Sequence, residues 1–312
     1  MSQNKKSFKT SIGGQAVIEG IMMNGVNNCA LAVRKPDQSI HIETWEKKNT
    51  QKWYRKVPVV RGIFNFISML QTGYRCLMRS AEVSGMEESE EPSKFDAWVE
   101  KKLGNNAMQV FSAIAMVLGV AIALGLFFLL PSYLVKLLNP LIPSPVVLTI
   151  IEGVIKIAIF IVYLALVSQM SDIRRVFEYH GAEHKTIACY EAGEELIPEN
   201  IKNYSRFHPR CGTSFILIVL VLSIIVSSFI TWNSVWIRFG LKLLSLPLVV
   251  GLAYEVIKLA GRYDNPVTRI VSAPGLWLQH LTTREPDESQ MEVAVAAMNE
   301  VLPKSSDEND RW

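Results

Sequence analysis

The chain has 312 residues, 49% of them hydrophobic and 20% charged, with a formal net charge of +3 at neutral pH. Such a composition excludes an ordinary soluble domain of this length, and the small net charge, without basic clusters interleaved with aromatic residues, excludes a typical nucleic-acid-binding protein. The apolar residues lie in a few long runs. We therefore expect an α-helical polytopic membrane protein of about four transmembrane helices that contacts membrane lipids.

The amino-terminal third is predicted to lie outside the membrane. Residues 1–10 are polar and are expected to be disordered, whereas residues 11–107 should form a small cytoplasmic α+β region. Within it, residues 12–25 contain four glycines without the spacing of a phosphate-binding loop, which favours tightly packed strands or turns. Residues 30–33 and 40–45 surround a turn-rich segment and predict a β-hairpin.

Residues 61–79 combine an apolar stripe with basic side chains, which predicts an amphipathic helix. Such a helix lies along the membrane surface or packs against the amino-terminal region, and the sequence leaves both open. The acidic residues 87–94 that follow are expected to form a solvated linker.

Four apolar runs are predicted to span the membrane: residues 110–130, 146–167, 213–232 and 236–259. They make two transmembrane helix pairs, within residues 108–168 and 213–260. The polar residues 169–212 form a loop between the pairs.

Two local patterns add detail to this organisation. Glu152 and Lys156 lie four residues apart in the second run, so we expect them to form an ion pair on one helix face. Residues 261–312 are expected to form a cytoplasmic helical tail, in which Asp287 and Gln290 have the spacing of a capping box.

The distribution of Lys and Arg predicts the orientation in the membrane. Residues 1–107, 169–212 and 255–312 carry 16, 6 and 6 of the 32 basic residues, whereas the short connections 139–144 and 233–236 carry none. By the positive-inside rule, both termini and the middle loop face the cytoplasm, in the cell membrane. The first apolar run begins too far along the chain for a signal peptide, so we expect no cleavage.

Four cysteines, Cys29, Cys76, Cys189 and Cys211, all fall on this reducing side. Disulfides are disfavoured there, and a thiolate beside histidines is more typical of a metal ligand.

The middle loop contains the residues best suited to metal chemistry. His180, Glu183 and His184 form the pattern H-x-x-E-H, which puts both histidines on one face of a predicted helix over residues 173–190. This is the inverted form of the zincin motif, in which the carboxylate acts as general base beside two imidazole ligands. His208 and Cys211 follow with the two-residue gap of a zinc chelate loop, so we expect a divalent metal, zinc first, as cofactor.

Three interpretations stay open from the residues alone. In a catalytic site, three of the four ligand candidates hold the ion, water takes the open position and Glu183 is the general base. In a structural site, all four side chains close a tetrahedron. In the third interpretation, the histidines are hydrogen-bonded interior groups and Cys211 is a buried thiol.

Flanking charges are candidates for supporting roles. Glu178, Glu191 and Asp172 are candidates to accept the second imidazole N–H groups and so fix the tautomers, although for each residue alone a solvated helix face is the favoured interpretation. Arg210 and Lys185 could orient an anionic substrate or contact lipid phosphates.

Four long blocks resemble the YqhQ-like family of bacterial membrane proteins: GGQAVIEGIMMNG from Gly13, YHGAEHKTIACYEAG from Tyr179, SRFHPRCGTSF from Ser205 and SAPGLWLQHLTTREPDESQMEVA from Ser272. The resemblance covers about residues 11–302. This family has no known function but is labelled as predicted metal-dependent enzymes, so the resemblance implies a multi-pass membrane protein with its metal ligands at His180, His184, His208 and Cys211. It implies no substrate.

Taken together, these patterns predict a membrane-bound, cytoplasm-facing metal-dependent hydrolase with Glu183 as general base. Its substrate would be a peptide or a lipid-linked molecule. The alternative is a non-enzymatic scaffold or assembly factor with a structural metal site, whose amino-terminal region binds an unidentified protein partner.

Overall fold

The computed structural model describes residues 8–47, 53–85, 107–138, 140–142, 144–230, 234–263, 265–303 and 310. The chain divides into two compact units. Unit 1 comprises Met1–Met86, Leu164–Ile218 and Val250–Trp312, and unit 2 comprises Glu87–Tyr163 and Val219–Val249. Residues 1–7 and the predicted acidic linker 87–94 lie outside the described residues.

Unit 1 contains a four-stranded antiparallel sheet with the strands in chain order: β1 (Gly13–Val17), β2 (Gly20–Asn24), β3 (Asn28–Arg34) and β4 (Ile40–Glu46). The predicted hairpin is present as β3 and β4, with Ala32 opposite Ile42. The glycine-rich segment forms a second hairpin, β1 and β2. A side chain at Gly20 would overlap the carbonyl oxygen of Ala32, which explains the glycine there.

The helices follow in chain order: α1 (Val60–Val83), α2 (Ala107–Leu124), α3 (Leu130–Leu138), α4 (Pro145–Val167), α5 (Ser171–Glu191), α6 (Pro198–Ile201), α7 (Gly212–Ser228), α8 (Val235–Arg262), α9 (Pro266–Thr282) and α10 (Glu288–Val301). A π-helical turn, Gly125–Leu129, joins α2 to α3, and a short 3-10 turn, Trp53–Arg55, precedes α1.

The core of unit 1 lies between one face of the sheet and the helices α5 and α10. Ile21 and Met23 from β2 pack with Tyr179 of α5 and with Ala294 and Met298 of α10, all of them fully buried. Burying these apolar side chains is the main stabilising contribution to the unit and fixes α5 against the sheet.

The predicted capping box begins α10. The Asp287 side chain accepts a hydrogen bond from the Gln290 backbone at 2.8 Å, and the Gln290 side chain accepts one from the Asp287 backbone at 3.0 Å. Two of the helix's otherwise unpaired N–H groups are satisfied in this way. The prediction is confirmed.

A glycine on α5 brings the end of α9 close to that helix. The backbone N–H of Arg284 donates to the carbonyl of Phe177 at 2.8 Å. A Cβ atom at Gly181 would overlap the carbonyl oxygen of Arg284, so only glycine allows this approach. The segment after α9 is thereby held beside His180, which precedes Gly181 on α5.

The amphipathic helix predicted over residues 61–79 is α1. Its inner face packs against the sheet, where Cys76 lies in a cluster with Val17 and Leu31. Its outer face exposes large apolar side chains, namely Phe64, Ile67, Leu70, Tyr74 and Met78. Packing against the amino-terminal region is therefore observed, and the exposed stripe retains the composition of a membrane-surface helix.

In the part of the chain that the structure describes, three helical stretches are long and apolar enough to cross a membrane: Ile114–Leu138, Pro145–Val167 and Trp236–Ala260. The fourth predicted span corresponds to α7, a shorter apolar helix of 17 residues that ends at Ser228. Its predicted end at residue 232 falls in residues 231–233, which lie outside the described residues. By length and composition, three apolar helices indicate a membrane protein.

The ion pair predicted between Glu152 and Lys156 is not formed. The Glu152 carboxylate instead pairs with Lys242 of α8 and accepts a hydrogen bond from Ser132 of α3 at 2.7 Å. Spacing along α4 makes Lys156 a possible partner of Glu152, but Lys242 of the neighbouring helix α8 forms the ion pair with the carboxylate.

Candidate metal centre

The two histidines of the H-x-x-E-H motif lie one turn apart on α5, as predicted. Their ring centroids are 4.4 Å apart. The helix extends from Ser171 to Glu191 and ends where Gly193 adopts a left-handed φ of 72°, as is common at helix carboxyl termini. His184 is 2% exposed, whereas His180 is partly buried.

Cys211 joins these histidines from the segment that precedes α7. Its Sγ lies 3.2 Å from Nε2 of His180. The possible ligand atoms of His180, His184 and Cys211 all lie within 4.8 Å of one another. Thr213 supports the sulfur with its backbone N–H at 3.4 Å and its hydroxyl at 3.2 Å. Three of the four candidate ligands are therefore brought together.

Both histidines are oriented by backbone carbonyls. Nδ1 of His180 lies 2.8 Å from the carbonyl oxygen of Thr282, and Nδ1 of His184 lies 2.6 Å from that of Arg206. Because a carbonyl oxygen only accepts, each Nδ1 carries a proton. In the neutral imidazole, Nε2 is then the acceptor atom, and that of His180 faces the Cys211 sulfur. This is the arrangement in which protein histidines bind metal ions.

The predicted carboxylate partners of the imidazoles have other roles. Glu178 accepts from the Gln290 side chain at 3.0 Å, Glu191 pairs with Arg210, and Asp172 accepts from Ser171 at 3.1 Å. The role considered for these carboxylates is therefore taken by the carbonyls of Thr282 and Arg206. Backbone carbonyls from the ends of other segments are closer to the rings, and sequence spacing does not reveal them.

His208 lies beside the group of three ligands rather than within it. Its ring centroid is 5.4 Å from that of His184, and its Nε2 lies 3.3 Å from the guanidinium of Arg210. A guanidinium only donates, so it engages the Nε2 lone pair. Burial lowers the pKa of His208 well below its usual value, and His184, Arg210 and His180 lower it further.

Gln279 of α9 positions the His208 segment and was missed by the sequence analysis. Its fully buried amide accepts from the His208 N–H and donates to the His208 carbonyl, each at 2.8 Å. The available signal was a glutamine in a largely apolar helix, which is a weak one. With the Thr282 carbonyl, α9 thus contributes two residues and three hydrogen bonds to this centre.

Arg210 and Lys185, the candidates for substrate orientation, are engaged by the protein itself. Arg210 pairs with Glu191 and donates to the Thr10 carbonyl at 2.6 Å. Lys185 donates to the Lys202 carbonyl at 3.0 Å and pairs with Glu285 at 2.7 Å. Both side chains therefore tie segments of unit 1 together.

Glu183 is buried against the first strand and lies outside the group of three ligands. It accepts a hydrogen bond from the backbone N–H of Gly14, and among the described residues no ion pair involves it. Burial raises the pKa of its carboxyl group, and His180 and the Gly14 hydrogen bond oppose that shift. A buried carboxyl with a raised pKa is suited to proton transfer.

The close approach of β1 to Glu183 depends on a glycine and gives a prediction. A Cβ at Gly14 would lie 2.9 Å from Cγ, Cδ and Oε1 of Glu183, whereas a Cβ at Gly13 meets nothing within 4 Å. We expect Gly14→Ala to lower the free energy of unfolding by about 1–3 kcal/mol, because the carboxyl must be displaced. Thermal unfolding of the purified protein measures this loss.

Gly13→Ala adds the same methyl group one residue earlier and is the matched control. It should change the free energy of unfolding by less than about 0.5 kcal/mol. Equal destabilisation by both substitutions would show that the strand tolerates no side chain in general, and that the contact with Glu183 has no special importance.

Comparison with known proteins assigns the chain to a family without describing an activity. The family model described as "Protein of unknown function (DUF1385)" matches residues 57–304. The "Uncharacterized protein YqhQ" of Bacillus subtilis (strain 168) is 35% identical over 302 residues, which cover 96% of this chain and 94% of that protein. No solved structure matches the chain. Neither description states a metal, a substrate or a reaction. The family match over most of the chain, and the similarity to YqhQ that the sequence blocks predict, show that the chain belongs to the family of unknown function DUF1385.

Proposed function

We propose that this protein is a membrane-bound, metal-dependent hydrolase whose candidate centre faces the cytoplasm. The ion, zinc by the nature of the donors, is held by His180, His184 and Cys211. The observation that carries the proposal is that both imidazoles donate their Nδ1–H to backbone carbonyls while the possible ligand atoms of all three side chains lie within 4.8 Å of one another.

The donor set fits zinc in type and number. Imidazole nitrogen and thiolate sulfur are the usual protein ligands of zinc, and three protein ligands with an open fourth position are typical of catalytic sites. The backbone N–H and the hydroxyl of Thr213 lie 3.4 Å and 3.2 Å from the Cys211 sulfur and help to fix its position. The pair of carbonyls orients both rings before an ion binds.

Glu183 is the proposed general base. When bound, the ion supplies Lewis acidity and lowers the pKa of a water molecule. Glu183 would accept the proton of an attacking water, and burial raises the pKa of its carboxyl group, which makes the carboxylate a stronger base than an exposed glutamate. Its hydrogen bond to Gly14 fixes the orientation of the carboxyl group.

The membrane arrangement forms part of the proposal. We take α7 as a fourth span beside the three longer apolar stretches, with both termini and residues 169–212 in the cytoplasm of the cell, as the Lys and Arg counts favour. The helix α9 contacts the centre through Gln279 and Thr282, while Val267, Ile270 and Trp277 on the same helix are exposed and apolar. An apolar outer surface on this helix favours a substrate carried by the membrane, such as a lipid-linked molecule, over a soluble peptide.

The second candidate function is a scaffold in which the ion is structural. Its support is the burial of the ligands, since His184 is 2% and Cys211 5% exposed. An ion there would join α5 to the segment before α7, in a region that α9 already contacts. In this alternative, the His208 ring turns away from Arg210 and fills the fourth position.

X-ray absorption at the zinc edge distinguishes the two functions. We expect the purified full-length protein to show two nitrogen ligands, one sulfur and one oxygen from water. Three nitrogens and one sulfur would identify the closed site of the scaffold and contradict the hydrolase. A zinc-free protein that takes up no zinc would contradict both.

The substitution Glu183→Gln tests the general base separately. It keeps the shape of the side chain but removes its basicity. We therefore expect the variant to bind as much zinc as the wild type, but not to rescue a strain from which the gene has been deleted. Zinc content by elemental analysis and complementation of the deletion strain are the two measurements. Full complementation by Glu183→Gln would exclude a catalytic role for this residue.

A further inference from the structure

A second group of charged side chains lies inside unit 2 and is separate from the candidate metal centre. Glu152 and Lys156 of α4 and Lys242 of α8 are only 3%, 5% and 3% exposed, and Arg238 of α8 is partly buried beside them. Residues 107–163 and 219–249 contain Glu152 as their one acidic residue. Three basic groups of unit 2 therefore surround one carboxylate.

The carboxylate is already occupied by two of these basic groups. Oε1 of Glu152 pairs with the Lys242 ammonium and accepts from the Ser132 hydroxyl, and Oε2 lies 3.6 Å from the Arg238 guanidinium. Lys242 and Glu152 neutralise each other. Among the described residues of unit 2, the positive charges of Lys156 and Arg238 are then left without a negative charge of their own.

Lys156 has no carboxylate within ion-pair distance in the part of the chain that the structure describes. Its ammonium lies over the Phe128 ring, 5.0 Å from the centroid. Nε of Arg238 is buried and, among the described residues, has no hydrogen-bond partner. Two donors on different helices are thus left available beside the same ion pair.

Uncompensated charge of this kind is costly within an apolar helical unit. Buried charges are normally paired, and ionisable side chains inside membrane segments commonly mark sites for ions or substrates. We propose that this basic cluster, Lys156, Arg238 and Lys242, binds a phosphate group. A phosphomonoester carries close to two negative charges at neutral pH, which matches the excess of two positive charges, and both ammonium and guanidinium groups bind phosphate well.

The position of the basic cluster allows a phosphate from either of two sources. Glu152 and Lys242 each lie seven residues from the start of their helix, Pro145 or Val235, which is about 10 Å at the rise of an α-helix. A lipid headgroup that enters from that end reaches this depth, and so does a free phosphate ion. In both cases the basic cluster would recognise the same phosphate group.

Binding is tested on the full-length protein, purified in detergent and stripped of lipid. One arm titrates inorganic phosphate against sodium chloride of matched ionic strength, and the other titrates phosphatidic acid against phosphatidylcholine in mixed micelles. Melting temperature and native mass spectrometry report binding. Each arm compares wild type with Lys156→Met and with Lys136→Met, which removes an exposed lysine from the same unit.

We expect Lys156→Met to weaken binding at least about tenfold, because it removes a charged contact, and Lys136→Met to leave it unchanged. Without ligand, Lys156→Met should melt roughly 2–4 °C higher, since an unpaired buried charge is removed. Binding in the phosphate arm alone identifies a free ion as the ligand, and binding in the lipid arm alone identifies a headgroup.

Three outcomes would overturn the proposal. They are stabilisation by chloride equal to that by phosphate, binding in neither arm, and undiminished binding by Lys156→Met. None of them bears on the hydrolase, which depends on different residues in unit 1.

Discussion

Lys242→Met is expected to lower the free energy of unfolding by about 1.5–3 kcal/mol, because it removes the closest charged partner of the buried Glu152 carboxylate. Arg238 remains within ion-pair distance of Oε2 at 3.6 Å and Ser132 still donates to Oε1, so the carboxylate loses its strongest contact without being left unpaired. Methionine matches the volume of the lysine chain, so the loss reports the charge rather than a cavity. Thermal or chemical unfolding in detergent micelles measures it.

Lys136→Met and a double variant are the controls for this effect. Lys136 is exposed, and its substitution should change stability by less than about 0.5 kcal/mol. The double variant Glu152→Gln with Lys242→Met removes both charges and should recover most of the loss. If Lys242→Met alone melts like the wild type, Glu152 does not depend on this ion pair.

The contrast between Lys242 and Lys156 shows that the sequence does not predict which buried charges form an ion pair. The spacing of Glu152 and Lys156 correctly puts both on one helix, but it cannot show that α8 brings another lysine to the carboxylate. Whether a charge is paired depends on contacts between residues 90 positions apart. Local patterns carry no information about such contacts.

Elements determined by local chemistry were predictable. The hairpin of β3 and β4, the extent of α5 and the capping box of Asp287 and Gln290 follow from neighbouring residues alone. Three of the four apolar runs contain helices long and apolar enough to span a membrane, for the same reason. These features depend on periodicity and backbone geometry over at most about 25 residues.

For the candidate centre, the sequence predicted side chains that the fold brings together, but it did not predict the backbone contacts that orient them. Metal-ligating residue types and their spacing identify His180, His184 and Cys211, which the fold brings together. The carbonyls that orient the rings come from Thr282 and Arg206, and any residue type could supply them. Contacts with backbone carbonyls therefore cannot be predicted from residue types.

His208 shows that sequence spacing can also identify a candidate ligand that the fold does not place with the others. Its position in H-x-x-C made it an equal candidate with Cys211, yet its Nε2 faces the guanidinium of Arg210. That arginine is held by Glu191 and by the Thr10 carbonyl, so the state of one imidazole depends on three distant parts of the chain. Whether His208 binds an ion therefore depends on whether Arg210 releases it.

His184→Ala is expected to weaken zinc binding by more than about 100-fold and to yield purified protein almost free of zinc. The residue is the most deeply buried of the three proposed ligands, and its loss also leaves the Arg206 carbonyl without its donor. Substitutions of residues that merely orient a ligand already reduce metal affinity by about 10–100-fold, so removal of a ligand should exceed that range. Elemental analysis and competition with a chromophoric chelator measure the change.

His280→Ala is the matched control, because His280 lies on α9 near the centre but is exposed. It should retain the zinc of the wild type. Zinc loss in both variants would indicate adventitious binding to surface histidines, and zinc retention in both would remove His184 from the ligand set. A His184→Ala protein that is folded but free of zinc separates the ion's chemical contribution from its structural one. If that protein no longer complements a deletion strain while its melting temperature stays close to that of the wild type, the ion serves a reaction rather than the fold.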